Sequence, residues 1–204
     1  MYKRQPIYWE QLQRFKEDEY IEKINKQDDE RVNNWNRILK QNDEGYKNPQ
    51  HTWFHPALNA SDWETMQVPG YWANTKLGNI NGVVWFRKEI DVPTDMVEKP
   101  ALLKLGRIVD CDSVFINGKF IGSIGSQYAS RAYKISDDVL KEGKNTIVIR
   151  VINYIRKGGF VPGKEYELST DDHKINLAGE WQYKLGTRAE PLDCLLYTSP
   201  SPRD

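Results

Sequence analysis

The chain predicts a mainly β fold, an antiparallel β-sandwich of eight or so strands preceded by a helical connector. Three observations carry that expectation. From about Trp53 onward, short β-rich runs alternate with turn residues every eight to twelve positions, the spacing of an all-β sandwich or barrel. An Asn117-Gly118 pair sits between two such runs, as a two-residue hairpin turn requires. Residues 8–44, in contrast, are highly charged, with Leu12, Phe15, Ile21, Ile24, Val32, Trp35, Ile38 and Leu39 recurring at helical intervals of three and four.

The two ends need separate treatment, because segments that are not native protein must be set aside before a fold is read. Residues 194–204 (CLLYTSPSPRD) match the translation of a transposon-type sequencing adapter, and residues 1–5 (MYKRQ) match its inverted copy. The expectation is therefore a native segment of 6–193 inside a longer protein. Removing Lys3, Arg4, Arg203 and Asp204 turns 29 charges of each sign into 26 basic and 28 acidic residues, a net charge of −2. No concentrated basic patch points to nucleic acid. No apolar run approaches the roughly 18 residues of a membrane span. One cysteine, Cys111, remains, so no disulfide within the chain is expected.

Taken in order, the helical pattern of 8–44 fits one long helix or two shorter ones broken near Gln27 to Asp29, ending by Gly45 and Pro49. It is too polar to fold alone, so its apolar stripe is expected to pack on a neighbouring domain. The strongest strand is 82–92 (GVVWFRKEIDV), with Trp85 and Phe86 on opposite faces. Strands at 102–105, 113–116 and 119–122 follow, the last two joined by the Asn117-Gly118 turn. A short strand at 132–135 precedes a helical turn capped by Ser136. The run 146–153 (TIVIRVIN) is apolar on both faces, which marks a central strand covered on both sides. Lys157-Gly158-Gly159 opens a loop, and 175–177 and 181–185 close the domain.

An ordered set of motifs then resembles a known family: WETMQVPGYW (63–72), NGVVWFRKEIDVP, LLKLGRIVDCDSVFINGKFIG and YKISDDVLKEGKNTIVIRV. Together they resemble the β-galactosidase-like, galactose-binding-like jelly roll. Family-2 glycoside hydrolases carry this domain at their N-terminus, and sialate O-acetylesterases carry it inserted in an SGNH-type hydrolase. The helical, Trp-containing connector, the PGYW segment leading into GVVWFRK, and the closing INLAGEWQYKLG (175–186) favour the esterase. The expected organisation is a connector to a missing hydrolase domain at 6–50, the jelly roll at 51–186, and the start of the return to the hydrolase at 187–193. Two alternatives stand beside it: the sugar-binding domain of a family-2 glycoside hydrolase, and a stand-alone carbohydrate-binding module.

For the esterase parent, the resemblance implies removal of O-acetyl groups from sialic acids by a serine nucleophile, a histidine base and an oxyanion hole, without metal or cofactor. It also implies a periplasmic or secreted protein. The Gly-Asp-Ser-like and Asp-x-x-His blocks of that chemistry do not occur here. Asp171-Asp172-His173 fails the spacing because position 170 is Thr, and a polar turn before the following strand is expected. No catalytic residue is therefore assigned.

The remaining candidates are few. Trp72, Trp85 and Arg87 form the candidate substrate-binding set, with an indole face to stack on a pyranose and a guanidinium to pair with a carboxylate. The competing reading buries Trp85 and pairs Arg87 with Asp110 or Asp112. His51 and His55, four apart, lack a nearby third ligand, and Pro56 biases His55 toward extended backbone, so no metal site is assigned. Asp110 and Asp112 read as scaffold carboxylates, and Cys111, with acids on both sides, as a packed thiol. Gly158-Gly159 is a candidate loop for close backbone approach. The expected partners are the missing hydrolase domain of the same chain and carbohydrate.

Overall fold

In a computed structural model, residues 18–155 and 157–192 are described. The expected adapter-derived ends, 1–5 and 194–204, and the first part of the helical pattern, 8–17, lie outside the described residues. Helix α1 runs unbroken from Asp18–Asn42. The charged run near Gln27 does not split it, because Arg31 reaches back to Asp28 at 2.9 Å, an i,i+3 pair that supports helix. The described chain divides into two compact units, one of which spans residues 39–191 and holds every strand.

The helix ends one residue before Asp43, earlier than Gly45 and Pro49 suggest. Asp43 is extended, and its side chain accepts from the Gly45 N–H at 3.0 Å, capping the single-turn helix α2 (Glu44–Lys47). The strands follow as β1 (Glu64–Val68), β2 (Gly70–Tyr71), β3 (Asn81–Val92), β4 (Ala101–Leu105), β5 (Ile108–Val109), β6 (Cys111–Ile116), β7 (Lys119–Ile124), β8 (Ala132–Ile135), β9 (Gly143–Asn153), β10 (Gly159–Phe160), β11 (Tyr166–Ser169), β12 (Lys174–Asn176) and β13 (Gly179–Ala189).

A six-stranded sheet orders them β1-β13-β3-β9-β6-β7, a four-stranded sheet β12-β11-β4-β8, and a three-stranded ribbon β2-β10-β5. Every pairing is antiparallel. The core between the two larger sheets takes Val84, Phe86 and Ile90 from β3, Ile147, Ile149 and Val151 from β9, and Leu103, Leu105 and Leu168 from the facing sheet. The predicted central strand is central: β9 lies between β3 and β6, and Ile147 to Val151 are buried on both faces. The Asn117-Gly118 turn joins β6 to β7 with φ of 51° and 84°, both in the left-handed region that this hairpin turn requires.

Two expected elements come out differently. Ser136 begins a plain turn, closed by Val139 N–H to Ser136 C=O at 3.3 Å, rather than a helical one. The closing strand β13 runs to Ala189, three residues past Gly186, because Thr187, Arg188 and Ala189 continue pairing with Val83, Gly82 and Asn81 beyond a bulge.

Candidate functional site

Period-two alternation sends Phe86 into the sandwich core and Trp85 and Arg87 to the outer face of the six-stranded sheet. That outer face is covered by the segment from Asp43 to Trp63. Tyr46 packs edge-on to Trp85 with ring centroids 5.1 Å apart, and Phe54 stacks on Phe115 at 4.4 Å and 7°. Trp53 approaches both Trp85 and Trp63. Under this aromatic cover lies a buried ionic group. The Asp43 carboxylate accepts from Trp85 Nε1 at 2.8 Å and from Arg150 Nε at 2.7 Å, besides its own cap bond. Gly45 has to be glycine here, since a Cβ would stand 2.4 Å from the Trp85 ring.

The three sequence-predicted binding residues are thus placed in the interior. Trp85 and Trp72 are both 0% exposed, and Arg87 is 2% exposed. Arg87 pairs with neither Asp110 nor Asp112; it donates to the carbonyls of His55 (3.2 Å) and Pro56 (2.7 Å), holding the cover segment onto β3. Burial pulls its pKa below the usual guanidinium value. Trp72 packs in the core with its ring centroid 6.1 Å from Phe86. Gly158 sits where a Cβ would come within 1.9 Å of that indole, so the Gly158-Gly159 pair allows close approach to Trp72. None of the three offers a face or a head group to a sugar. The placement does not support the expected sugar contact: Trp85 and Arg87 lie on β3 between a sheet below and an aromatic segment above, and Trp72 lies in the sandwich core.

A second buried ionic group was missed from sequence. Arg131 Nε donates to Asp112 Oδ1 at 2.6 Å, and both side chains are fully buried. The Tyr133 hydroxyl takes the other Asp112 oxygen. Burial lifts the Asp112 carboxyl above its usual range, against the opposing pull of the Tyr133 hydroxyl and the Arg131 guanidinium, and burial likewise lifts Tyr133. The rest of the Arg131 fork is spent on backbone. Its nitrogens donate to the carbonyls of Ser126 (2.5 Å), Ala129 (2.7 Å) and Asp110 (2.8 Å). Next to it, Asp110 Oδ2 accepts from Tyr154 N–H at 2.8 Å, and the Cys111 thiol donates to the Tyr154 hydroxyl at 2.9 Å. Burial raises the Cys111 pKa, so the thiol stays protonated and packed, as its acidic neighbours suggested.

The consequence is a loop with a fixed course. Residues 125–130 leave β7 at the edge of one sheet and enter β8 at the edge of the other, clamped from inside by Arg131. Tyr128, 76% exposed, stands on this loop. Ser130 and Arg131 also line an open groove of about 670 Å³ together with Lys104, Lys164 and Glu165.

The other polar candidates have local roles. His55 Nδ1 accepts from the Ala57 N–H at 3.2 Å. The 171–173 segment makes the predicted polar turn before β12, with Thr170 and His173 bonded to each other through their backbones (2.9 Å). Among the described residues, no group of three or more His, Cys, Asp or Glu is placed to hold a metal ion.

Residues 42–154, just over half of the chain, match the family model of the beta-galactosidase second all-beta domain. The chain belongs to that family. The match begins at Asn42 and so includes Asp43 and the cover segment. No curated protein sequence matches the chain. Among solved structures, the domain is similar to Bacteroides uniformis beta-glucuronidase 2, at 20% identity and a TM-score of 0.47 over 64% of this chain. It is also similar to a glycosyl hydrolase family 2 member from Bacteroides cellulosilyticus (15%, 0.47, 64%) and to a b-glucuronidase from Ruminococcus gnavus (19%, 0.41, 59%). The matched part amounts to 15%, 18% and 24% of those chains, respectively.

Proposed function

We propose that the chain is a non-catalytic β-sandwich domain of a carbohydrate-active glycoside hydrolase of the β-galactosidase type. The observation that carries this reading is the family match across 42–154, which takes in the cover segment, both buried ion pairs and nine of the strands as one unit. The chemistry of the domain supports the same division of labour. Glycoside hydrolysis uses two carboxyl groups about 5 to 9.5 Å apart on either side of the scissile bond. Asp110 and Asp112 are two positions apart in the sequence, but each is buried and bonded to structural partners. The reacting carboxylates then belong to another domain of the parent, and the domain described here serves as scaffold and as a wall on the substrate side. Its partners are that catalytic domain in the same chain and carbohydrate, and the setting is the periplasm or the outside of the cell.

The esterase parent uses the same domain type, inserted in a different hydrolase. The family match favours the glycosidase, since it ties the domain to β-galactosidases. Completing the coding sequence on both sides and assaying the purified parent separates the two. The expected outcome is release of the aryl group from an aryl β-glycoside, with an aryl acetate left intact. Acetate release without glycoside cleavage would overturn the reading in favour of the esterase.

A further inference from the structure

We propose that helix α1 is a self-association seam: two copies of the chain pair antiparallel through it, with Asp28 of each copy set against Arg31 of the other. The pairing holds whichever hydrolase carries the domain. It puts a second copy where the sequence suggested a neighbouring domain. Three features of the helix lead there.

The first is the spacing. Ile21, Ile24, Asp28, Arg31, Trp35 and Ile38 follow one another at alternating intervals of three and four along the unbroken helix. That is the a/d repeat of a two-helix seam. The flanking e and g positions between Asn25 and Gln41 carry no charge, so nothing beside the stripe repels a like copy. The other charges from Glu22 to Lys40 all fall on b, c and f positions, where their side chains are exposed.

The second is the centre of the stripe. Its two middle positions hold an acid and a base, and the six positions are symmetric about the point between Asp29 and Glu30. Antiparallel pairing about that point sets Ile21 against Ile38, Ile24 against Trp35, and Asp28 against Arg31 of the second copy. Parallel pairing would set Asp28 against Asp28 and Arg31 against Arg31, and burying like charges face to face is costly. The charges therefore fix the orientation. Two-fold symmetry then repeats the favourable contact and closes the assembly at two copies.

The third is what one chain leaves unfinished. Asp28 and Arg31 bond each other within the helix at 2.9 Å, yet their side chains remain 27% and 31% exposed. The Arg31 Nε is buried and has no acceptor among the described residues. A guanidinium offers five donors in a fixed fork, so Arg31 can keep Asp28 of its own helix and take the second copy's carboxylate as well. At the end of the seam Ile38 is 36% exposed, and Ile21 of the second copy covers it. Trp35, 7% exposed, is largely packed within its own chain and adds little new contact.

The test is sedimentation equilibrium of the full chain at about 1 to 200 μM, with circular dichroism to follow the helix. A monomer–dimer equilibrium is expected, with a dissociation constant of about 100 μM or tighter. Asp28→Arg and Arg31→Asp each give every copy two like charges at the centre, so each alone should weaken dimerisation at least about tenfold. Mixed one to one, the two variants oppose two bases with two acids. The dimer should then return to within about threefold of the original affinity. The chain carrying both Asp28→Arg and Arg31→Asp should also dimerise, because the antiparallel order survives with its signs reversed. The mixture and the double exchange also guard against a variant that merely loses helix, since neither would then recover the dimer. A chain that stays monomeric at about 200 μM, or aggregates that the charge changes leave unaltered, would overturn the proposal. So would single variants that dimerise as the original does, or a mixture no tighter than either variant alone.

Discussion

The Asp43–Arg150 and Asp112–Arg131 pairs are chemically alike, each a buried carboxylate accepting from a guanidinium Nε at 2.7 and 2.6 Å. Their placement differs. Asp43 and Arg150 are 107 residues apart, and the bond fastens a separate segment across the outer face of the sheet. Asp112 and Arg131 are 19 apart, and the bond fixes a loop that stays on the surface. The first pair lies under aromatic rings, with the Arg150 guanidinium 5.4 Å from the Tyr46 ring centre. The second has its spare donors turned to loop carbonyls. One pair builds a layer of the fold, and the other shapes what the fold presents.

The largest expected effect comes from breaking the layer. Asp43→Ala leaves Arg150 buried without a counter-charge and the Trp85 indole N–H without an acceptor, which should cost about 3–5 kcal/mol. Urea unfolding reads the loss, and amide exchange should quicken across 43–63 before the rest of the sandwich. A milder cut is Asp43→Asn. It keeps an acceptor for Trp85 Nε1 and for the Gly45 N–H but removes the charge facing Arg150, so a loss of about 1–3 kcal/mol is expected in the same measurement.

Protonation separates the buried from the exposed carboxylates. Burial holds the Asp112 and Asp110 carboxyls above their ordinary value of 3.8, while the hydrogen bond and charge of Lys119 hold Asp138 below it. A raised folded-state value means that the contribution of Asp112 and Asp110 is fully present below the unfolded-state pKa. It is lost as pH rises through their folded values. Asp138 has the opposite sign, contributing above its unfolded value and fading as pH falls through its folded one. Carboxyl NMR titration should place the Asp112 midpoint above that of Asp138; the reverse order would break the assignment. The smallest effect belongs to Tyr128→Ala, expected within about 0.5 kcal/mol of the parent in urea, because no packing depends on that ring.

Much of the sandwich was legible because its long strands carry strong alternation. Strands β3 and β9 run 12 and 11 residues, and their apolar positions declare both faces. The β6–β7 hairpin declared itself through Asn117-Gly118. Strands β2 and β10 have two residues each, too few for any period, and β11 has four. They exist because partners far along the chain offer them free backbone groups, as Val109 and Tyr71 do for Gly159.

Site residues were harder to read for the same reason. Trp72, Trp85 and Arg87 have the residue types of a sugar site; the cover segment from 43 to 63 makes Trp85 and Arg87 interior, and packing in the sandwich core does so for Trp72. Asp43 looked like one more charge at the end of a polar helix. The local signal was its place directly before Glu44–Lys47, where an N-cap is favoured. Nothing nearby in sequence announces Trp85 or Arg150 as its partners. For Asp112 the sequence suggested a buried arginine partner but pointed to Arg87, since local pattern does not say which of the interior arginines, Arg87, Arg131 or Arg150, meets which acid. The loop 125–130 carried no motif. Its significance comes from Arg131, whose donors turn inward to the loop backbone.

The most direct test of the division between a layer-building pair and a loop-shaping pair is backbone amide exchange across 124–131 in Arg131→Lys. The substituted ammonium keeps a charge for Asp112 but cannot reach the Ser126, Ala129 and Asp110 carbonyls at once. The expected result is faster exchange confined to 124–131, with β3, β9 and the 43–63 segment unchanged. A loop that exchanges as slowly as before, or a loss of protection spread across the whole sandwich, would contradict it.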